Sequence, residues 1–91
     1  MVSKSRKLLQ RMKNSSAGWK RSDLDRLYLS FGFIIDPGSR HDIAKHPDFP
    51  ALRATLTRHT DIDKVYIKQA IALIEELQEL EKEEGNYNEP D

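Results

Sequence analysis

An α+β fold is predicted for this chain, with the order helix, helix, strand, strand, strand, helix and an antiparallel three-stranded sheet packed on helices. Three observations predict it. Apolar residues recur at helical spacing before Asn14, between Ser22 and Phe31, and from Ile62 to Leu80. The β-branched and aromatic run Phe33-Ile34-Ile35 leads straight into turn residues, and a corner holding Pro47 and Pro50 separates two further short extended segments. At 91 residues the chain makes one small domain, 1–91, with no room for a second.

Leu8, Leu9 and Met12 share a face between Ser3 and Asn14, so residues 1–14 form a short accessory helix that needs the rest of the domain to pack on. Asn14-Ser15-Ser16-Ala17-Gly18 reads as a connector. The core, residues 22–84, opens with Ser22 as N-cap, Asp23 and Asp25 in the favourable first turn, and Ser22 to Asp25 approximating a capping box. Leu24, Leu27, Tyr28 and Phe31 then lie on one side, and Gly32 stops the helix. Tyr28 and Phe31 read as core at that spacing, although they and Trp19 also have faces on which bases stack.

Asp36-Pro37-Gly38-Ser39 has the composition of a hairpin turn, because proline fixes one φ angle and glycine is free in its own. The second strand is expected from about Arg40 to His46 and the third from about Arg53 to Arg58, joined at His46-Pro47-Asp48-Phe49-Pro50. Ile62, Tyr66, Ala70, Leu73, Leu77 and Leu80 trace the stripe of a long last helix capped by Asp61 or Asp63, broadened by Val65, Ile67, Ile71 and Ile74. Residues 85–91 carry no periodicity and read as a disordered tail.

The absence of cysteine removes any disulfide framework or thiolate metal site and suits a reducing interior, so the cytoplasm is the expected location. Met1 to Arg6 lead into no apolar core of signal-peptide length, and no apolar run is long enough to span a membrane. The net charge of zero conceals a polarity. Lys4, Arg6, Lys7, Arg11, Lys13, Lys20 and Arg21 precede the first acid, whereas Glu75, Glu76, Glu79, Glu81, Glu83, Glu84, Glu89 and Asp91 crowd the other end. Charge runs usually keep a surface wet, and a basic arm that helps hold nucleic acid is the sharper reading of the first of them.

The chemistry concentrates at Pro37-Gly38-Ser39-Arg40-His41-Asp42-Ile43, followed by Lys45-His46-Pro47 and by Arg58-His59. An imidazole just past a tight turn, among cations, has the makings of a general base beside a polyanion site, and RNA is the polyanion to suspect. A single histidine in a small domain is otherwise more often a surface or packing residue. Strand alternation puts His41 with Ser39, Ile43 and Lys45, and Arg40, Asp42, Ala44 and His46 on the other face, without saying which face is buried. A zinc site from His41, His46 and His59 is disfavoured by the same alternation, so no metal is expected. His46 reads as a corner residue, while Arg40 and Arg58 suit bidentate phosphate binding, with Lys45 a point charge and His59 a further phosphate contact. Arg53 and Lys64 are possible additions to that patch. Phosphate-binding loops, dinucleotide glycines, a Gly-x-Ser-x-Gly elbow and paired carboxylates are all missing, and no cofactor is expected.

Taken in order, these residues resemble the HicA family of messenger-RNA-cleaving toxins, also called YcfA-like. The resemblance covers roughly residues 22 to 77: the helix ending in Phe31-Gly32-Phe33, the Gly38-Ser39-Arg40-His41 turn, the Lys45-His46-Pro47 corner, Arg58-His59, and Ile67-Lys68-Gln69-Ala70. It implies a fold similar to the double-stranded RNA-binding domain and a metal-independent endoribonuclease with a single strand-borne catalytic histidine. It also implies a HicB-type antitoxin that covers the RNA-binding face. Many members read Gly-Ser-His where this chain has Gly38-Ser39-Arg40. Counting back from Lys45-His46-Pro47 puts His41 in register, with Arg40 as an added turn residue. The implied RNA contacts are Gly38, Ser39, Arg40, Lys45, Arg58 and His59.

Overall fold

The structure is a computed structural model that describes residues 4–83. The tail expected at 85–91, the core boundary expected at Glu84 and residues 1–3 of the expected accessory helix lie outside the described residues. The element order is α1 (Lys4–Asn14), α2 (Arg21–Ser30), β1 (Ile34–Pro37), β2 (Asp42–Lys45), β3 (Arg53–Leu56) and α3 (Lys64–Glu83). This is the expected α+β order. The sheet is antiparallel with β2 in the centre.

Helix α2 begins two residues earlier than Ser22 predicts. Its N-cap is Lys20, whose backbone N–H donates to the Asp23 carboxylate at 3.0 Å. The cause is tertiary: Lys20 forms an isolated antiparallel bridge with Asp61, and the Arg21 N–H donates to the Thr60 carbonyl at 2.8 Å. The other end of α2 is settled locally. Gly32 has φ +88°, the Phe33 N–H donates to the Tyr28 carbonyl at 3.1 Å and the Gly32 N–H to that of Leu29 at 3.2 Å, which is the Schellman arrangement. The apolar contact that accompanies it is Phe33 on Tyr28, with ring centroids 5.1 Å apart. Tyr28 is buried, its hydroxyl has no hydrogen-bond partner among the described residues, and burial raises its pKa, so it stays protonated.

Helices α2 and α3 pack on the sheet, α2 against β1 and α3 against β3, and α1 packs on α2 and α3. The core is built from Leu9 and Met12 of α1, Leu24, Leu27 and Tyr28 of α2, Phe31, Phe33, Leu52, the sheet residues Ala44, Ala54 and Leu56, and Ile67, Ala70, Ile74 and Leu77 of α3. Asp63 caps α3 by accepting from the Val65 N–H at 3.0 Å, and Lys13 ties α1 to α3 through Glu75 at 3.3 Å.

The choice of sheet face, open in the sequence, is settled by Ala44. It is fully buried between Ile35 and Ala54, so Ile43 and Lys45 face away from the helices, beside Thr55 and Arg53. His46 follows Ala44 in parity and is buried at the corner. Its Nδ1 accepts from the Asp48 N–H at 3.1 Å, and its ring stands edge-on to Phe33 at 5.2 Å and beside Phe49 at 5.5 Å. Glu81, near the end of α3, has its pKa raised by burial; nearby His46 opposes that shift and Asp48 adds to it.

Candidate nucleic-acid interface

All three strands span four residues, shorter than predicted for β2 and β3, and the difference shapes the site. Asp36 and Pro37 belong to β1, where proline is tolerated because β1 is an edge strand. Pro37 pairs with Asp42, and the Gly38 N–H donates to the His41 carbonyl at 2.9 Å, so the connection is Gly38-Ser39-Arg40-His41. His41 therefore immediately precedes β2 instead of lying in it. The amide of Gly38, one of the RNA contacts the resemblance implies, is already bonded within the turn.

Gly38, Ser39, Arg40 and His41 line a hollow of about 200 Å³, floored by Ile43 and Thr55 of the open sheet face. Its lining contains one permanent cation, Arg40, one imidazole and no carboxylate. His41, Arg40 and Ser39 are exposed. The other expected contacts lie outside it. Lys45 is ion-paired to Asp36 at 2.7 Å on the same open face and stands directly opposite Arg53. It is four residues from His41, roughly 13 Å along a strand. His59 is exposed beyond β3, its N–H bonded to Thr57 Oγ1 at 3.3 Å. Lys64, at the first position of α3, is exposed and does not line the hollow.

Arg58, an expected phosphate contact, is engaged within the protein. Its Nε and Nη2 each lie 3.1 Å from Asp42 Oδ1, and Nη2 donates to the Gly38 carbonyl at 2.6 Å. Asp42 is shared with a second arginine, Arg21, whose Nη2 lies 2.9 Å from Oδ2 while Nη1 donates to the Thr57 carbonyl at 2.7 Å and Nε pairs with Asp25 at 2.6 Å. The side chains of Arg21 and Asp42 are 14% and 17% exposed, so this pair is shielded from solvent screening far better than a surface ion pair. The clasp of Arg21, Asp42 and Arg58 ties the start of α2, the start of β2 and the chain after β3 to the turn that carries His41. Sequence reasoning missed Asp42, Arg21 and the floor residue Thr55.

The hydrogen bond from Arg21 is the largest cause that holds the Asp42 carboxyl below the usual aspartate range; desolvation opposes it, and the hydrogen bond from Arg58 adds to the lowering. The unfolded chain binds the proton more readily, so this group stabilises the fold fully above about pH 4 and ceases to do so as pH falls through its lowered native value. Thermal unfolding followed by circular dichroism is expected to show Tm falling on acidification below that point. Asp42→Asn should start lower at neutral pH and flatten the acid limb; an unchanged acid limb in the variant would remove Asp42 as its source.

Among the described residues no three histidine, cysteine or acidic side chains cluster in metal-binding geometry, and no helix is long and apolar enough to cross a membrane. No protein-family profile, curated protein or solved structure matches this chain.

Proposed function

We propose that the protein is a HicA-type toxin: a metal-independent endoribonuclease that cleaves messenger RNA in the cytoplasm, with His41 as general base. A HicB-type antitoxin would hold it in check by covering the open sheet face. The observation that carries the reading is the exposed imidazole of His41 at the rim of a carboxylate-free hollow beside Arg40. Neutral His41 takes the proton from a ribose 2′-hydroxyl, that oxygen bonds to the adjacent phosphorus, and the bond from phosphorus to the 5′-oxygen breaks as the leaving oxygen takes up a proton. Arg40 steadies the charge that builds on the phosphate. Lys45 and Arg53, farther along the face, serve neighbouring phosphates, and Arg58 acts through the turn it holds. RNA is preferred to DNA because only RNA has the attacking hydroxyl.

Incubation of the purified protein with RNA is expected to give scission that resists a chelator and stops when the cleaved position carries a 2′-deoxyribose. Scission lost on chelation, or retained on the deoxy substrate, overturns the mechanism. One feature favours a second reading, RNA binding without cleavage: besides His41 the hollow is lined by Gly38, Ser39, Arg40, Ile43 and Thr55, none of which is a general acid suited to the leaving oxygen. Salt-sensitive RNA binding with no scission under any condition would support that reading.

A further inference from the structure

Helix α1 lies on the helical side of the molecule, away from the open sheet face, and is flanked by two open grooves of about 710 and 520 Å³. Their linings hold six cations, Lys4, Arg6, Lys7, Arg11, Lys13 and Arg26, and no acid, although Lys13 is paired with Glu75 at 3.3 Å and the exposed Arg26 with Asp23 at 3.6 Å from outside the linings. We propose that this surface binds the phosphate backbone of RNA, as a second contact separate from the His41 hollow. The choice of RNA among polyanions rests on the function proposed above.

The arrangement of charge works against the helix that carries it. The first turn of α1 has no acid, and Lys4, Arg6 and Lys7 sit at the end where the backbone dipole favours anions. Lys4, Lys7 and Arg11 follow one another at spacings of three and four residues, where like charges repel. Lys4 and Lys7 have no ion pair among the described residues, and Arg11 is stacked over Trp19 at 5.3 Å with its charge still at the groove. From Lys4 to Arg11 the helix advances roughly 10 Å, long enough to meet more than one phosphate of a strand. A membrane surface fits less well, because the large exposed apolar side chains, Leu29, Ile34 and Val65, all lie off α1.

The test uses the full chain carrying His41→Ala, so that RNA stays uncut, and measures anisotropy of a labelled single-stranded RNA between about 50 and 200 mM salt. Adding Lys4→Gln, Lys7→Gln and Arg26→Gln together is expected to lower the magnitude of the log-affinity against log-salt slope by about 2, at about 0.7 for each phosphate that is no longer neutralised. The charge-keeping set Lys4→Arg, Lys7→Arg and Arg26→Lys should retain the slope, which separates charge from any change in helix packing. An unchanged slope in the glutamine variant overturns the proposal. So does loss of binding to phosphatidylserine vesicles with RNA binding intact. Both results are independent of whether His41 cleaves, since that is read from scission by the otherwise unsubstituted chain.

Discussion

His41→Ala is expected to leave a folded protein that holds RNA with near-native affinity and cuts it about 10² to 10⁴ times more slowly, the share of rate that a positioned general base supplies. The fold should tolerate the change because the His41 side chain is exposed and has no hydrogen bond or ion pair among the described residues. What the turn needs from residue 41 is its carbonyl, which alanine keeps. Surface substitutions of this kind move stability by about 0.5 kcal/mol or less. The measurement is single-turnover cleavage beside a thermal melt. A variant that melts like the parent and cuts at the parental rate removes His41 from the mechanism, whatever the RNA affinity does.

The fold was legible where local chemistry decides the outcome. Gly32 stops α2 because a left-handed residue lets the Phe33 and Gly32 amides return to the helix, and the sequence Phe31-Gly32-Phe33 states that directly. Asp63 caps α3 for equally local reasons. Ser22 failed as a cap because residues far along the chain compete for the same backbone: Thr60 and Asp61 pair with Arg21 and Lys20 and start the helix earlier. Propensity sees neither partner. The face of β2 was undecidable from Ile43 and Ala44 alone; Ala44, opposite Ile35 and Ala54, is the buried one, and His46, of the same parity, is buried with it against Phe33 and Phe49.

The site was legible in its turn and obscure in its cations. Gly38, Ser39, Arg40 and His41 are adjacent in sequence and inevitably meet around one hollow. Arg58 carries a guanidinium suited to phosphate, yet its planar fork serves equally well on a carboxylate and a carbonyl, and the partners it finds are Asp42 and Gly38, sixteen and twenty residues earlier. Thr57 is drawn into the same assembly through its carbonyl, which Arg21 takes, and β3 ends before it. A cation that sequence alone assigns to substrate can thus be committed to the scaffold, and the distinction rests on a carboxylate placed opposite it by the sheet register.

The same scaffold makes Gly38→Ala the substitution with the largest expected effect on stability and activity together. A Cβ on Gly38 would lie 2.4 Å from the His41 carbonyl oxygen, inside any permitted contact, and the obstructing atom is backbone with no rotamer to yield. Relief requires residues 38 and 41 to separate, which lengthens the 2.9 Å bond that closes the turn and displaces the carbonyl that Arg58 holds at 2.6 Å. Movement there reaches Asp42, on which both Arg58 and Arg21 converge. Forcing a methyl group into such a site costs about 1–3 kcal/mol, and each kcal/mol lowers Tm by about 4–8 °C in a domain of this size. Cleavage measured well below the lowered Tm should fall as well, because the imidazole is carried by the turn that must open. RNA binding through α1 should keep its salt slope, since α1 packs on α2 and α3. A Gly38→Ala protein with parental Tm and parental cleavage would mean that the close approach of residues 38 and 41 does not set the position of His41.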